Sequence, residues 1–360
     1  MAYLKRHVAG LQKVQWLGQE YLFSSGGNEE LFAWRVRQLD SAYAGRIAVM
    51  CEGVFMDKSP VEDLRILDFD VSALSIDGEV TVAMLVTLAF SNSELKTYSY
   101  SAERGFELVC KGMYTGVCLT QVRHLAIEDG DLQVVTASTD GHIALWRGSS
   151  AAGYSNNNNR KIDSQKQKQH GTYELTQTLR VHQSSIKSLD MKRLAGGSGR
   201  RDYGVVTGGD DNALAITLLK QDAAAATEDS GLADESDTVM RLGFSVELGA
   251  VVRRAHAAAI TGIAILGASK SAASGSDIIC VSVSNDQWVK TWRIREEDGA
   301  GSGYDKKIEL LGEGYSGVAD PGDVVVLDEA EQESDLERRR RVGDSRFMIA
   351  GVGIEVWRMK

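Results

Sequence analysis

Cysteine is scarce in this sequence, and its spacing excludes two common uses. The four cysteines are Cys51, Cys110, Cys118 and Cys280. None lies in a CxxC pair, and the gap from Cys110 to Cys118 is not a zinc-site spacing. Most of them sit in apolar, strand-like runs. We therefore expect buried, reduced thiols and a cytosolic or nuclear compartment, and we predict a cytoplasmic protein.

Long apolar runs are also missing. The longest is Val80 to Phe90, which includes two threonines and is too short to span a bilayer. The segment Met1 to Gly18 lacks the apolar core of a signal peptide. These absences predict a soluble protein without a membrane span.

Positive charge is in deficit, because 40 Lys and Arg face 50 Asp and Glu for a formal net charge of −10. An acidic surface repels phosphate backbones, which argues against broad nucleic-acid binding by this chain alone. Local basic patches are still compatible with this balance.

Motifs for catalysis are absent as well. The sequence has no HExxH or GxSxG string, and its nearest glycine-rich runs, Gly351–Gly353 and Gly196–Gly199, lack the strand–turn–helix pattern of a nucleotide site. The six histidines do not cluster. We predict that the chain is not an enzyme and holds no metal and no cofactor.

What the sequence does contain is a repeat. Short Val/Ile/Leu/Thr runs alternate with Gly, Asn, Asp and Ser clusters, which is typical of many short strands. The clearest units run from Val134 to Trp146 and from Ile279 to Trp292. In both, Trp follows the turn Asp by six residues and Ser precedes that Asp by two.

Weaker copies fit the same frame and bring the total to six. Asn28 leads to Trp34, Asn92 to Tyr98 and Asp211 to Thr217, where the aromatic residue is lost. In the last copy Gly351 leads to Trp357 and the Asp is lost. His7, His182 and His256 precede three copies at corresponding places.

This pattern resembles the WD repeat over the whole chain. The resemblance implies four-stranded β-propeller blades, in which His, a strand Ser or Thr, the turn Asp and Trp form a structural hydrogen-bond network. The positions that match are His256, Ser284, Asp286, Trp292, Ser138, Asp140, Trp146, His182 and Asp211. Arg rather than Asp follows Trp four times, as in Arg293, but that position is outside the network.

The architecture that follows is one all-β propeller over 1–360 with six blades, seven being the alternative. Trp-equivalents lie 48 to 75 residues apart, which exceeds a WD repeat of about 40–45 residues. Biased composition puts the excess in three predicted mobile insertions, 148–171, 221–238 and 328–344.

Two stretches resemble a particular family. Tyr21 to Val36 and Gly351 to Arg358 look like the C-terminal propeller of the WD-repeat subunit of the tRNA wobble-position 2′-O-methyltransferase, of fungal type. The resemblance implies the terminal part of a longer multi-propeller protein. It also implies a non-catalytic role, in which the chain binds a separate RNA 2′-O-methyltransferase and helps to position tRNA. The alternative is a general WD-repeat adaptor in trafficking or ubiquitin-ligase recruitment.

A few charged positions are candidate contacts. Arg253 and Arg254 lie beside His256, and Glu29 and Glu30 lie in the first turn, so all four are candidates for partner binding. The run Arg338, Arg339, Arg340 and Arg341 could bind RNA phosphate or act as a nuclear import signal. Acids precede it, so a solvated loop is the simpler interpretation.

Overall fold

The fold was analysed in a computed structural model of the chain. The structure describes residues 5–39, 47–60, 63–76, 79–128, 131–149, 170–194, 201–222, 243–271, 275–297, 305–327 and 345–359. Every regular element in these ranges is a β-strand, so none of them contains a helix that could cross a membrane.

The strands form antiparallel meanders, which we call blades 1 to 6. A short parallel pairing of Gly171 with Cys110 and of Thr172 with Lys111 joins blades 2 and 3 into one eight-stranded sheet. Blade 1 contains β1 (Leu11–Leu17), β2 (Tyr21–Gly26), β3 (Glu30–Gln38) and β4 (Ile47–Val54). Blade 2 contains β5 (Ile66–Ile76), β6 (Glu79–Phe90), β7 (Glu94–Ser101) and β8 (Gly105–Met113). Blade 3 contains β9 (Leu119–Glu128), β10 (Asp131–Ser138), β11 (His142–Ser149) and β12 (Gly171–Arg180).

Blade 4 contains β13 (Ile186–Arg193), β14 (Tyr203–Gly209), β15 (Leu214–Gln221) and β16 (Phe244–Val252). Blade 5 contains β17 (Ile260–Ser271), β18 (Gly275–Ser284), β19 (Trp288–Glu297) and β20 (Asp305–Tyr315). Blade 6 contains β21 (Ala319–Val326) and β22 (Arg346–Arg358). The prediction of an all-β propeller fold is confirmed by these repeated meander sheets.

Blade 6 has more strands than its two elements suggest. The amide N of Met359 donates to the carbonyl O of Ser345 at 3.0 Å. A fully extended 13-residue strand would hold its ends about 40 Å apart. β22 therefore folds back on itself as a hairpin around Gly353, whose φ of 122° suits a residue without a Cβ. The stacked rings of Phe347 and Trp357 lie across that hairpin.

Within the described chain, two compact units can be distinguished. Unit 1 comprises 1–139 and 143–176, and unit 2 comprises 140–142 and 177–360. In unit 1 the first strands of successive blades, β1, β5 and β9, contact one another, and in unit 2 β13, β17 and β21 do the same. The single domain predicted over 1–360 remains a prediction.

Each hydrophobic cluster joins neighbouring blades inside one unit. Phe23 of blade 1 packs with Phe69 and Tyr100 of blade 2, and Ile216 of blade 4 packs with Ile263 and Trp292 of blade 5. Blades 2 and 3, and blades 5 and 6, share clusters of the same kind. The middle strands of a blade are therefore buried over continuous runs, as in β14 and β15 of blade 4.

The predicted insertions fall largely outside the described residues. Of 148–171, the two ends belong to β11 and β12, and 150–169 is not described. The same holds for 223–238 within the second insertion and for the whole of 328–344. Their predicted mobility stays a prediction.

Candidate functional site

The repeat network is clearest in blade 5, where four side chains are linked by a series of hydrogen bonds. Trp292 Nε1 donates to Ser282 Oγ at 2.8 Å, and the same hydroxyl lies 2.8 Å from His256 Nε2. On the other side of the ring, His256 Nδ1 lies 3.1 Å from Asp286 Oδ2. The strand, the turn and the preceding loop are thus tied together.

The protonation states follow from the geometry. Burial lowers the pKa of His256, although Asp286 opposes that effect, so the imidazole is neutral near pH 7. A carboxylate can only accept, so Nδ1 carries the proton and Nε2 accepts from the Ser282 hydroxyl. The hydroxyl oxygen in turn accepts from Trp292. Each polar atom in this series of hydrogen bonds therefore has one consistent role as donor or acceptor.

Asp286 also closes the surrounding loops. Its carboxylate accepts from the amides of Ala257 at 2.7 Å and Trp288 at 2.9 Å. Burial alone would raise the pKa of Asp286, but these two amides and His256 together hold it below its usual value. The carboxylate is a structural acceptor with its oxygens occupied.

The serine predicted for this network is not the one that links the histidine and the tryptophan. Ser282, two residues earlier than the predicted Ser284, makes that link. Ser284 instead donates to the carbonyl of Ala258 and accepts from the amide of Asp286. The linking hydroxyl lies inside β18, two residues from the Cys280 that pairs with Trp292, whereas Ser284 is the last residue of that strand, next to the turn.

We expect Asp286→Ala to destabilise the protein. The substitution leaves one buried imidazole N–H and two amides without an acceptor, which costs about 1–3 kcal/mol. A urea midpoint is the measurement. The control is Arg293→Ala, which breaks a part-exposed ion pair with Asp277 at 2.7 Å and costs at most about 1 kcal/mol. Equal midpoints for wild type and Asp286→Ala would contradict the network.

Stability should fall on mild acidification. Burial lowers the pKa of His256 and of His124 from the usual 6.5, so the unfolded chain binds protons that the folded chain does not. The stability that these two histidines contribute is therefore fully present above about pH 6.5, and it is lost as the pH falls below that value. A second loss follows near the usual 3.8 of Asp286 and Asp211, whose pKa values are lowered. Urea midpoints at pH 7.5 and 5.5 test the first step, and an unchanged midpoint would contradict it.

Blade 1 repeats the arrangement with glutamate in the acidic place. Trp34 Nε1 donates to Ser24 Oγ at 2.8 Å, Ser24 lies 2.8 Å from His7 Nε2, and His7 Nδ1 lies 3.0 Å from Glu30 Oε2. Glu30 also accepts from the amide of Val8. This role of Glu30 was not predicted from the sequence, because Glu30 lies two residues beyond Asn28, which was assigned the position of the turn Asp.

The prediction that Glu29 and Glu30 contact a partner is therefore corrected. Their exposed fractions are 3% and 8%, and both carboxylates are used inside the fold. Glu29 accepts from the amide of Ser59 at 2.8 Å. Burial raises the pKa of Glu29, and the Ser59 amide opposes that rise. Acids that hold their own turn are not available to a partner.

Blade 4 keeps the acid and the imidazole but has lost the tryptophan. His182 Nδ1 lies 2.8 Å from Asp211 Oδ1, and His182 Nε2 lies 2.9 Å from Thr207 Oγ1. Asp211 accepts from the amides of Gln183 and Ala213. Thr217 stands where other blades have Trp, and its buried hydroxyl has no hydrogen-bond partner among the described residues.

Thr217→Val should stabilise the protein. Valine has a similar shape and removes a buried hydroxyl without a partner, so we expect a gain of about 1 kcal/mol in the free energy of unfolding. Thr207→Val is the matched control, because it removes a hydroxyl that pairs with His182 and should destabilise. The same change in urea midpoint for both variants would contradict the assignment.

Blade 3 lacks a histidine at the corresponding place. Trp146 Nε1 donates to Thr136 Oγ1 at 2.9 Å, so Thr136 rather than the predicted Ser138 is the linking hydroxyl. Asp140 accepts from the amide of His142 and lies 3.2 Å from its Nδ1. This turn is also close to the next loop, since a Cβ on Gly141 (φ 82°) would lie 2.3 Å from the carbonyl O of His182.

Blade 2 departs most from the predicted frame. The residue ten after the strand hydroxyl of Thr87 is Thr97, not Tyr98. Thr87 bonds both Thr97 and His124 Nε2 at 2.7 Å, and Thr97 continues to the Tyr173 hydroxyl at 2.5 Å. Two side chains of blade 3 thus occupy the places that His and Trp fill elsewhere. Tyr98 instead donates to Asp57 at 2.8 Å.

Blade 6 lacks the turn Asp, and Glu355 takes over its role from a different position in the sequence. Glu355 accepts from Ser316 Oγ, the Gly317 amide and Trp357 Nε1, each at 2.9 Å. These hydrogen bonds lower the pKa of Glu355, with the Trp357 bond first. The carboxylate of Glu355 therefore accepts a hydrogen bond from the backbone of the preceding loop, as Asp286 does in blade 5.

A cluster of charges in unit 1 was not predicted from the sequence. Asp68 Oδ1 lies 2.7 Å from Lys13 Nζ, and Asp68 Oδ2 lies 2.6 Å from Arg123 Nη1. Asp70 accepts from Gln15 and from the amide of His124. Burial, and then the charge of Arg123, lower the pKa of Lys13. These residues come from the first strands of three blades.

One part of this cluster is repeated in unit 2. Asp70 lies four residues into β5 and accepts from His124 of β9 at 2.7 Å. Asp190 lies four residues into β13 and accepts from the amide of Ile265 of β17 at 2.6 Å. In both units, a carboxylate at this position accepts a hydrogen bond from a backbone amide in the first strand of the next blade. An Asp within an otherwise apolar first strand is the feature of the sequence that could have predicted this contact.

The remaining predicted contacts have different outcomes. Arg253 and Arg254 are exposed, in the loop between β16 and β17. Arg338, Arg339, Arg340 and Arg341 lie outside the described residues. Among the side chains that the structure describes, no group of three or more His, Cys, Asp or Glu is arranged to hold a metal ion. Cys110 and Cys280 are buried thiols, and burial raises the pKa of both.

Comparisons with known proteins give structural neighbours only. No protein-family model matches the sequence, and no curated protein matches it. Two of the most similar solved structures are of BBS1N in complex with ARL6DN, one soaked with lead and one with mercury. The first has a TM-score of 0.48 and 10% identity and covers 94% of this chain and 75% of that chain. The second has a TM-score of 0.47, with 10% identity over 94% and 74%. The β-propeller class is assigned from the strand pairing described above.

Proposed function

We propose that this chain is a non-catalytic scaffold that binds other macromolecules. One observation carries the proposal. The buried imidazoles of His182 and His256 and the carboxylates paired with them are occupied by hydrogen bonds to the blades themselves. A catalytic acid or base needs a group that faces a substrate. The polar interior described here serves the fold, which leaves the exposed surface for function.

The more specific proposal is a subunit that supports tRNA wobble-position 2′-O-methylation. It rests on the resemblance of Tyr21 to Val36 and of Gly351 to Arg358. The first stretch forms the β2–β3 hairpin, and the second forms the returning half of β22. In this proposal a separate methyltransferase subunit supplies the chemistry, and the chain binds that subunit and helps to place the anticodon loop.

The test is to delete the gene in its source cell and to measure ribose methylation at the wobble position by mass spectrometry of purified tRNA. The expected result is loss of that modification, restored by the intact chain. Tagged protein should also recover a Rossmann-type methyltransferase in stoichiometric amount. Unchanged methylation, together with a stoichiometric trafficking or ubiquitin-ligase partner, would favour the general adaptor instead.

A further inference from the structure

An exposed group of aromatic and basic side chains lies at one end of blades 4 and 5. We call Arg253, Arg254, Trp288 and Tyr315 the aromatic–basic patch. β16 ends at Val252, β19 begins at Trp288 and β20 ends at Tyr315, so these residues share one end of the strands. Lys290, two residues after Trp288, donates to the carbonyl of Ala255 at 2.9 Å and so joins the loop of Arg254 to β19.

The two aromatic side chains are exposed and held in place. Trp288 is 39% exposed and Tyr315 is 60% exposed. Their rings pack edge to face, with centroids 6.1 Å apart and an angle of 82°. The Tyr315 hydroxyl donates to Gln287 Oε1 at 2.5 Å, and Gln287 Nε2 reaches the Val318 carbonyl. Rigid exposed aromatics of this kind are the usual anchors of protein interfaces.

The charge beside the aromatics is positive. Lys290 is balanced by Glu313 at 3.4 Å. Arg253 and Arg254 are exposed, and neither guanidinium has an ion pair or hydrogen bond within the described ranges. Arg254 also adopts φ 59°, a conformation that disfavours any residue with a Cβ.

We propose that the aromatic–basic patch binds an extended acidic protein segment that carries an apolar or aromatic side chain. Arginine presents a fork that matches a carboxylate with two parallel hydrogen bonds. Single-stranded RNA is the less favoured partner, because the edge-to-face rings do not offer faces in series for successive bases. The proposal rests on the scaffold function and names the chemistry of one partner.

The experiment is peptide phage display on the purified full chain. We expect enriched peptides to contain Asp or Glu next to an aromatic or large apolar residue, with affinity that falls as salt rises. Fluorescence anisotropy with a labelled enriched peptide then compares variants. Trp288→Ala and the double variant Arg253→Glu/Arg254→Glu should each weaken binding at least tenfold. Trp16→Ala, an exposed tryptophan in blade 1, and Arg104→Glu are the matched controls and should bind as wild type.

Arg254→Gly separates binding from folding. Glycine suits φ 59°, so this variant should raise the melting temperature of the protein. It should also weaken peptide binding, because the guanidinium is lost. No enriched acidic peptide, equal binding by the patch variants, or tight binding of a labelled oligouridylate that the patch variants lose would overturn the proposal. Because display uses the purified chain alone, these outcomes are independent of whether deletion alters tRNA methylation.

Discussion

We expect Asp68→Ala to lower the free energy of unfolding by about 3 kcal/mol, because it leaves two part-buried cations, each 22% exposed, without their shared buried partner. Asp68 is 2% exposed and bonds Lys13, Arg123 and the amide of Val122. The charge network joins three first strands, so the loss should fall on all of unit 1. Urea midpoints and amide hydrogen exchange in β5 and β9 are the measurements.

Three further variants make this prediction specific. Asp68→Asn keeps the size but removes the charge, so it should fall between wild type and alanine. Lys13→Met combined with Asp68→Ala should recover part of the loss, because one unpaired cation is then gone. Glu103→Ala, an exposed acid in the same unit, should change stability by less than about 0.5 kcal/mol. A loss as small as that of Glu103→Ala would show that the network contributes little.

The blade repeat was predictable from sequence because its signal is local. The hydroxyl and the tryptophan ten residues later lie on the two strands of one hairpin. Ser282 and Trp292 are diagonal neighbours there, because Trp292 pairs with Cys280, and the turn between the strands has a fixed length. The same local geometry explains the misplaced serine. Ser138 and Ser284 stand in the turn-proximal position that also favours Ser, so their spacing alone does not distinguish them from the linking hydroxyl.

Contacts that join distant strands were not predictable in the same way. Lys13, Asp68 and Arg123 are about 55 residues apart from one to the next and meet only when three blades pack. In blade 2, the network is completed by His124 and Tyr173 of blade 3, and this contact too depends on how the blades pack. Glu355 replaces a lost Asp from the far side of the turn. A repeat pattern predicts the blade, while the packing of blades determines which side chains complete each network.

Exposure was the other property that spacing could not give. Glu29 and Glu30 have the composition of a solvated turn, yet both are buried because the chain before β1 and the segment at Ser59 fold over that turn. Arg253 and Arg254 are also a pair of like charges next to the end of a strand, and they are exposed. The difference depends on which backbone amides lie within reach, and that is a property of the folded loops.

Trp292→Ala is expected to lower the free energy of unfolding by about 3–5 kcal/mol, since it empties a large buried volume and removes a hydrogen bond. Trp292 is 5% exposed and packs in the cluster shared by blades 4 and 5. Trp292→Phe keeps most of the apolar contact but loses the Nε1–H donor to Ser282, so it should cost less, about 1–2 kcal/mol.

Trp288 provides the matched control for this substitution, because it lies on the same strand four residues earlier. It is 39% exposed, and its ring faces Tyr315 at the blade end. Trp288→Ala should leave the urea midpoint almost unchanged while it weakens the peptide bound at the aromatic–basic patch. Trp292→Ala should destabilise the blade at any peptide concentration. If both variants lost the same stability, Trp288 would be a core residue and the distinction between a structural and a binding tryptophan on β19 would be wrong.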